Sequence, residues 1–248
     1  MAGQGPTTTP LPRPVPSSDP FRDTPDPAAY VPREASEAAL AALLARVERA
    51  EPAALVAPPG HGKTLLLHVL AERLPLALRP LYVPNPMLAP AELAAWTLGA
   101  LGSPAWPDPI EVLVAYAEHL AESGSALVWL VDDAHGLPVE TARWLRGLVA
   151  GSAGALRLVV AALSDAPAGA LEALAPLVRV DALARAMEAA ETARYVRSRL
   201  AQASVEPGQR ARCEAVLEAI HEASEGVPRA VSATCSRLLA RRGDDATR

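Results

Sequence analysis

Ala53-Ala54-Leu55-Val56-Ala57-Pro58-Pro59-Gly60-His61-Gly62-Lys63-Thr64-Leu65 is the stretch on which the fold turns. Ala53 to Ala57 is a short apolar run, the pattern of a strand buried on both faces. Pro58 to Gly62 breaks it, and a helical pattern runs from Lys63 to about Leu74. Gly60 and Gly62 permit a backbone path on which several N–H groups point at one anion. The helix starting at Lys63 adds its positive end. Lys63 offers a compact point charge, and Thr64 a hydroxyl for a divalent cation. The stretch has the form of a phosphate-binding loop, with Ala57 in place of the usual first glycine. Its candidate binding residues are Pro59, Gly60, His61, Gly62, Lys63, Thr64 and Leu65.

Composition sharpens the reading of Lys63. The chain holds 22 arginines and this one lysine. In a chain that uses Arg for nearly every cation, Lys here points to a place where a planar guanidinium does not fit. The other reading, an ordinary glycine-rich strand-to-helix turn, leaves that choice unexplained.

Further along stands Leu127-Val128-Trp129-Leu130-Val131-Asp132-Asp133-Ala134-His135. A buried strand that delivers an acid at its end is the Walker B arrangement. Asp132 then organises a Mg²⁺ shell, and Asp133 stands where a water-polarising carboxylate is needed. Asp133 also reads as a helix N-cap. His135 reads either as a γ-phosphate contact or as a cap of the next helix.

Outward from these motifs, residues 34–50 read as a helix, with Leu40, Leu43, Leu44 and Val47 at helical spacing. Strands are expected at 79–83, 126–131, 156–162 and 178–180, and helices near 89–101, 110–123 and 138–150. Strands separated by helices argue for a parallel α/β sheet with crossover connections. From Ala182 the texture becomes helical only, with three helices expected near 187–203, 210–223 and 228–241. Cys213, Val216, Leu217 and Ile220 share one face of the second. Val231, Cys235, Leu238 and Leu239 share one face of the third. Both cysteines therefore read as core packing. The expected organisation is a Pro-rich tail over 1–18, an α/β nucleotide-binding domain over 19–182, a helical lid over 183–242 and a flexible tail over 243–248. Phe21, the only phenylalanine, sits in a Pro-punctuated arm that is expected to dock on the body.

The chain has 248 residues, half of them hydrophobic, and a net charge of −5. That charge argues against a binder of the nucleic-acid backbone, which needs a positive field. Two cysteines are too few for a disulfide framework or a Cys-rich zinc site. No uninterrupted apolar run reaches membrane-spanning length, so no membrane insertion is expected. The N-terminus lacks the apolar core of a signal peptide, and the expected location is cytoplasmic.

The residues resemble the ExeA/GspA-type AAA+ ATPases of bacterial secretion over roughly Asp19 to Arg242. The arm Pro20-Phe21 with Thr24-Pro25-Asp26-Pro27 and Tyr30 is similar to that family's opening segment. So is Tyr82-Val83-Pro84-Asn85-Pro86 followed by Ala91-Glu92-Leu93. Asp132 to His135 resembles its acidic box, Glu191-Thr192 with Tyr195-Val196 and Arg199-Leu200 the opening of its lid, and Ser224 to Arg229 its Gly-x-Pro-Arg signature. The resemblance implies a P-loop NTPase with a parallel five-stranded sheet of order 5-1-4-3-2 and a small C-terminal helical lid. ATP and Mg²⁺ are held between the two. Lys63, Asp133 and Arg229 are implied as catalytic, with Thr64 and Asp132 on the metal. Arg229 takes the role of the lid arginine that senses the phosphates. Independently of the family, Pro228 in the first helical turn beside Arg229 fits a bidentate phosphate contact. A homo-oligomer and protein partners in a secretion or envelope machine are also implied.

The sequence departs from the family pattern in three catalytic places. Asp133 replaces a glutamate and is one methylene shorter. Leu163, with Ser164 beside it, aligns where a polar group ends the fourth strand. No arginine stands at Ala175 to Leu177, and Arg179 is the nearest candidate for a trans-acting finger. Slow ATP hydrolysis is therefore expected. The rival readings are a nucleotide-gated scaffold without useful hydrolysis and a transposition-type AAA+ regulator that coats DNA. The −5 charge, with no basic run beyond Arg241-Arg242, counts against the regulator.

Overall fold

The computed structural model describes residues 19–84, 86–167, 169–203 and 205–240. The expected tails over 1–18 and 243–248, and Asn85, lie outside them. The chain enters through an arm ending in a 3-10 turn at Pro27–Ala29. Then follow α1 Glu34–Glu48, β1 Ala53–Ala57, α2 Lys63–Arg73, β2 Leu78–Val83, α3 Pro90–Ala100, α4 Pro109–Glu122 and β3 Ala126–Val131. After it come α5 Val139–Gly151, β4 Leu156–Leu163, α6 Gly169–Ala173 and β5 Val178–Val180. The last helices are α7 Ala189–Gln202, α8 Pro207–Ala215, α9 Leu217–Ser224 and α10 Pro228–Ala240.

The five strands form one parallel sheet in the order β2-β3-β4-β1-β5, the expected order read from the other edge. Alternate residues of β3 face opposite cores. Leu127, Trp129 and Val131 join side chains of α3, α4 and α5 on one face. Ala126, Val128 and Leu130 join those of α1 and α2 on the other. All six are buried, which is why the run reads as continuous rather than alternating. The C-terminal ends of β1, β3 and β4 reach one edge together. Ala57 pairs with Leu163, and Val131 with Val160. In open α/β sheets this edge is where ligands bind.

The helices depart from expectation in one place and add one element. The helix expected over 210–223 is two, α8 and α9, separated at Val216, whose backbone leaves the helical region at φ −123° and ψ 24°. Cys213, Leu217 and Ile220 still join one apolar cluster, but Val216 lies outside it and is exposed. Apolar spacing reports which face is covered and is blind to a break that preserves the face. The five-residue α6 was not expected, being too short for any period to register.

The expected docking of the arm is observed. Phe21 is buried among Val196, Leu200, Cys213, Ile220, Val231 and Cys235 of the C-terminal helices. The buried Arg199 guanidinium donates to the carbonyls of Pro20 and Ala29. Ser236 Oγ donates to Asp19 Oδ2 at 2.7 Å. Both cysteines are buried and free in this cluster, as expected. Among the described residues no helix is long and apolar enough to cross a membrane.

Candidate functional site

The turn after β1 holds Gly60 at φ 76° and Gly62 at φ 91°, both in the left-handed region that glycine enters without a Cβ penalty. Gly60 is needed for a second reason. A Cβ there would stand 3.0 Å from Arg229 Cβ and 3.2 Å from Val227 Cγ1. The Arg229 amide donates to the Gly60 carbonyl at 3.1 Å, so the start of α10 rests on the loop itself.

Lys63 is the first residue of α2 and is buried. Its Nζ donates to the carbonyls of Ala57 at 3.0 Å and Pro58 at 3.1 Å. Burial lowers its pKa, while the carboxylates of Asp133 and Asp132 oppose the shift. The ammonium is thus held by two neutral oxygens at the loop's base, with its charge unmatched by a contacting anion. A phosphate oxygen is the kind of group that would complete it.

Thr64 Oγ1 donates to Asp132 Oδ2 at 2.7 Å, which joins the phosphate-binding loop to the end of β3. Asp132 is 4% exposed. Its Oδ1 accepts the amide of Asp133 at 3.0 Å, and its Oδ2 also accepts the Tyr82 hydroxyl at 2.9 Å. Asp133 is exposed and left-handed at φ 46°, a conformation Asp tolerates better than most residues. It occupies the cap position of the 3-10 turn Ala134–Gly136 but makes no side-chain cap bond. Its carboxylate is therefore free of the N-cap role. His135 lies inside that turn, with Nδ1 buried and unpartnered, and does not line the cleft.

One cleft of about 320 Å³ gathers most of the expected residues. Pro59, Gly60, Gly62, Lys63, Thr64 and Leu65 form its floor. Asp133, Leu163 and Arg229 approach from the other elements. His61 does not line the cleft. Its ring is buried, with Nδ1 3.0 Å from the Pro59 carbonyl, which requires that nitrogen to donate. Leu163 lies where a polar strand end was sought, and the Ser164 amide donates to Ala57 O at 3.3 Å. Arg179 is exposed on β5 and outside the cleft lining.

Sequence reasoning missed the other wall. Arg22, Asp23, Thr24 and Pro25 of the arm line the cleft, and Tyr195 and Ser232 of the C-terminal helices face it too. Asp23 Oδ2 pairs with Arg229 Nε at 3.0 Å. Only the arm's proline punctuation and lone Phe21 hinted that it packs anywhere.

The donor set suits ATP with Mg²⁺. Hydroxyl and carboxylate oxygens are hard ligands of the kind Mg²⁺ takes, few in number because phosphates and water complete its shell. Among the described residues no group of three His, Cys, Asp or Glu is arranged to hold a metal unaided.

Residues 46–167 match the family model of an AAA domain. The fold is that of the P-loop AAA+ ATPases. The Thermotoga maritima RuvB Holliday junction branch migration motor is similar, with 18% identity over 88% of this chain and a TM-score of 0.54. The chain spans 65% of that structure's length. A Walker-type ATPase of Pyrococcus abyssi has a TM-score of 0.64 at 13% identity, covering 90% of this chain and 72% of its own. The Aeropyrum pernix ORC2 protein has 0.59 at 16% identity, covering 87% and 64%. At these identities the likeness lies in the AAA+ fold. No curated protein matches the sequence.

Proposed function

We propose that this chain binds Mg-ATP between the phosphate-binding loop and the C-terminal helices. On this reading it hydrolyses ATP slowly and uses the position of the helical lid to control assembly with protein partners. One observation carries the reading. Lys63, Thr64 and Arg229 converge on a single cleft, with Asp132 buried behind Thr64 and hydrogen-bonded to it, and with α10 hydrogen-bonded to the loop through Gly60. Lys63 binds the β and γ phosphates, Thr64 and Asp132 hold the metal shell, and Arg229 reads the γ-phosphate. Asp133 orients the attacking water. When bound, Mg²⁺ would supply neutralisation of phosphate charge. Nucleotide that draws the Arg229 side chain inward pulls on α10, which carries it and whose first turn rests on the loop at Gly60.

The ExeA/GspA-like character, a homo-oligomeric state and a place in a secretion or envelope machine belong to this proposal and rest on the sequence resemblance alone. Leu163 in the cleft favours a second reading, a scaffold that binds ATP and holds it intact. An apolar side chain there offers no hydrogen bond to the γ-phosphate or to water.

Calorimetric titration of Mg-ATP into the protein tests the proposal. Micromolar binding that Lys63→Ala abolishes is expected; wild-type protein without Mg-ATP binding overturns it. Single-turnover hydrolysis separates the two readings. Bound ATP that survives for hours favours the scaffold.

A further inference from the structure

We propose that Tyr82 is a positioning residue for the metal side of this site, orienting Asp132 from a neighbouring strand. The inference rests on the Mg-ATP reading above and deepens it.

A carboxylate has about four lone-pair positions. In Asp132, three are filled by donors from three different segments: the Asp133 amide, the Thr64 hydroxyl of α2 and the Tyr82 hydroxyl of β2. One position remains for a metal-bound water. Among the described residues Asp132 has no ion-pair partner, so neutral donors alone fix how its buried carboxylate is turned. Removing one leaves a buried charged oxygen short of a bond and free to rotate.

Tyr82 is itself held. It stands opposite Leu130 in the β2–β3 pairing, two residues before Asp132. Its ring packs against His68, with centroids 4.4 Å apart and planes at 57°. His68 lies on α2 one turn beyond Thr64, on the same helix face. The helix that carries the metal-facing hydroxyl therefore also carries the wall against which Tyr82 leans. Thr64, Asp132 and Tyr82 are locked into one geometry by α2, β3 and β2 together. A ring that only filled space needs no hydroxyl; this hydroxyl ends on the one carboxylate that the metal shell uses. Partners of this kind behind metal-binding groups tune affinity without touching the ion.

Tyr82→Phe keeps the ring against His68 and removes only the hydroxyl. The measurement is binding of a fluorescent ATP analogue, as a function of Mg²⁺ and in EDTA, with the melting temperature followed in parallel. The expected result is about a tenfold rise in the Mg²⁺ concentration giving half-maximal enhancement of binding. Affinity in EDTA stays within about twofold. In an Asp132→Asn background, Tyr82→Phe shifts the Mg²⁺ dependence no further. His68→Leu, which loosens the ring, shifts it in the same direction and keeps the test open if the phenylalanine variant is poorly folded. An unchanged Mg²⁺ dependence in a folded variant overturns the inference, as does an equal loss with Mg²⁺ and with EDTA. Lys63-dependent binding by wild-type protein beside an unmoved Tyr82→Phe removes only this inference. Wild-type protein that binds no nucleotide removes the site reading as well.

Discussion

Asp23 Oδ2 and Arg229 Nε stand 3.0 Å apart, an ion pair that clasps the N-terminal arm to the start of α10 at the mouth of the cleft. The arm is anchored behind it by Phe21 and by the Arg199 guanidinium. The carboxylate is thus presented to Arg229 rather than reaching it by chance. The pair is open to solvent, with the two side chains 60% and 69% exposed. Such pairs contribute about 0–1 kcal/mol, so the clasp is weak enough for a phosphate to displace.

Asp23→Asn frees Arg229 and removes a negative charge from the cleft mouth. ATP is expected to bind two- to fivefold tighter, roughly the range such a pair allows. The gain shrinks at high salt, and ADP, lacking the γ-phosphate, responds less. Titration of both nucleotides into wild type, Asp23→Asn, Arg229→Ala and the double variant checks this. A gain that persists without Arg229 would mean a general charge effect, not a clasp.

Lys63→Arg is expected to fail as badly as Lys63→Ala. The ammonium sits buried between the carbonyls of Ala57 and Pro58. A guanidinium is wider, and its planar fork does not fit between those two oxygens. The loss of Mg-ATP affinity is expected at about 100-fold, the scale of a strong charged hydrogen bond and the strain around it. Retained binding by the arginine variant would remove the steric explanation for the chain's single lysine.

The sheet was legible because β1 and β3 are continuous apolar runs of strand length, each ending in a motif that stops it. Those motifs also put Lys63, Thr64 and Asp132 within reach of one another, since the fold brings the ends of β1 and β3 to the same edge. Arg229 was legible through Pro228 and through the family resemblance. Asp23 was not, because its partner lies at the far end of the chain and no periodicity links them. Tyr82 stayed hidden for a similar reason: a strand residue's place in the run does not tell what its hydroxyl meets, and here that is a carboxylate at the end of the neighbouring strand. The break at Val216 escaped notice because Cys213, Leu217 and Ile220 keep a helical stripe across it.

Asp133→Glu is expected to raise turnover. The Asp133 carboxylate lines the cleft and is not spent on a cap bond, so an added methylene extends its reach toward the attacking water. Small errors in positioning water cost large factors in rate, and a gain of about tenfold in kcat is the expected scale. Left-handed backbone at φ 46° suits Asp better than Glu, so a stability cost of about 1 kcal/mol should accompany it. Steady-state hydrolysis together with thermal melting reads both effects. Turnover that stays flat or falls would exclude Asp133 as the water-orienting group.

Gly226→Ala should be among the more damaging single-methyl changes in the chain. Gly226 adopts φ 69°, and a Cβ there would lie 2.0 Å from the Met187 carbonyl oxygen. That contact is with backbone, and the same segment is pinned by the Met187 amide donating to the Gly226 carbonyl at 2.9 Å. The turn feeds directly into Pro228 and Arg229. A loss of about 2–4 kcal/mol is expected, with weaker ATP binding because α10 no longer meets Gly60. A melting temperature within a degree of wild type would show that the turn relaxes at little cost.

His68 gives the fold a pH dependence of known sign. Burial lowers its pKa below the ordinary 6.5, with the Asp132 carboxylate opposing the shift, and Nε2 is buried without a partner. The folded protein therefore resists protonating a ring that the unfolded chain protonates readily. For a lowered pKa, the stabilising contribution is complete above 6.5 and is lost as pH falls through the folded value. Wild-type stability should decline from about pH 7 toward pH 5 more steeply than that of His68→Leu, which cannot take up the proton. Urea unfolding of both proteins across that range measures the difference in slope. Parallel slopes would place the acid sensitivity elsewhere, in carboxylates such as Glu37, whose pKa is lowered chiefly by its hydrogen bond to Arg73.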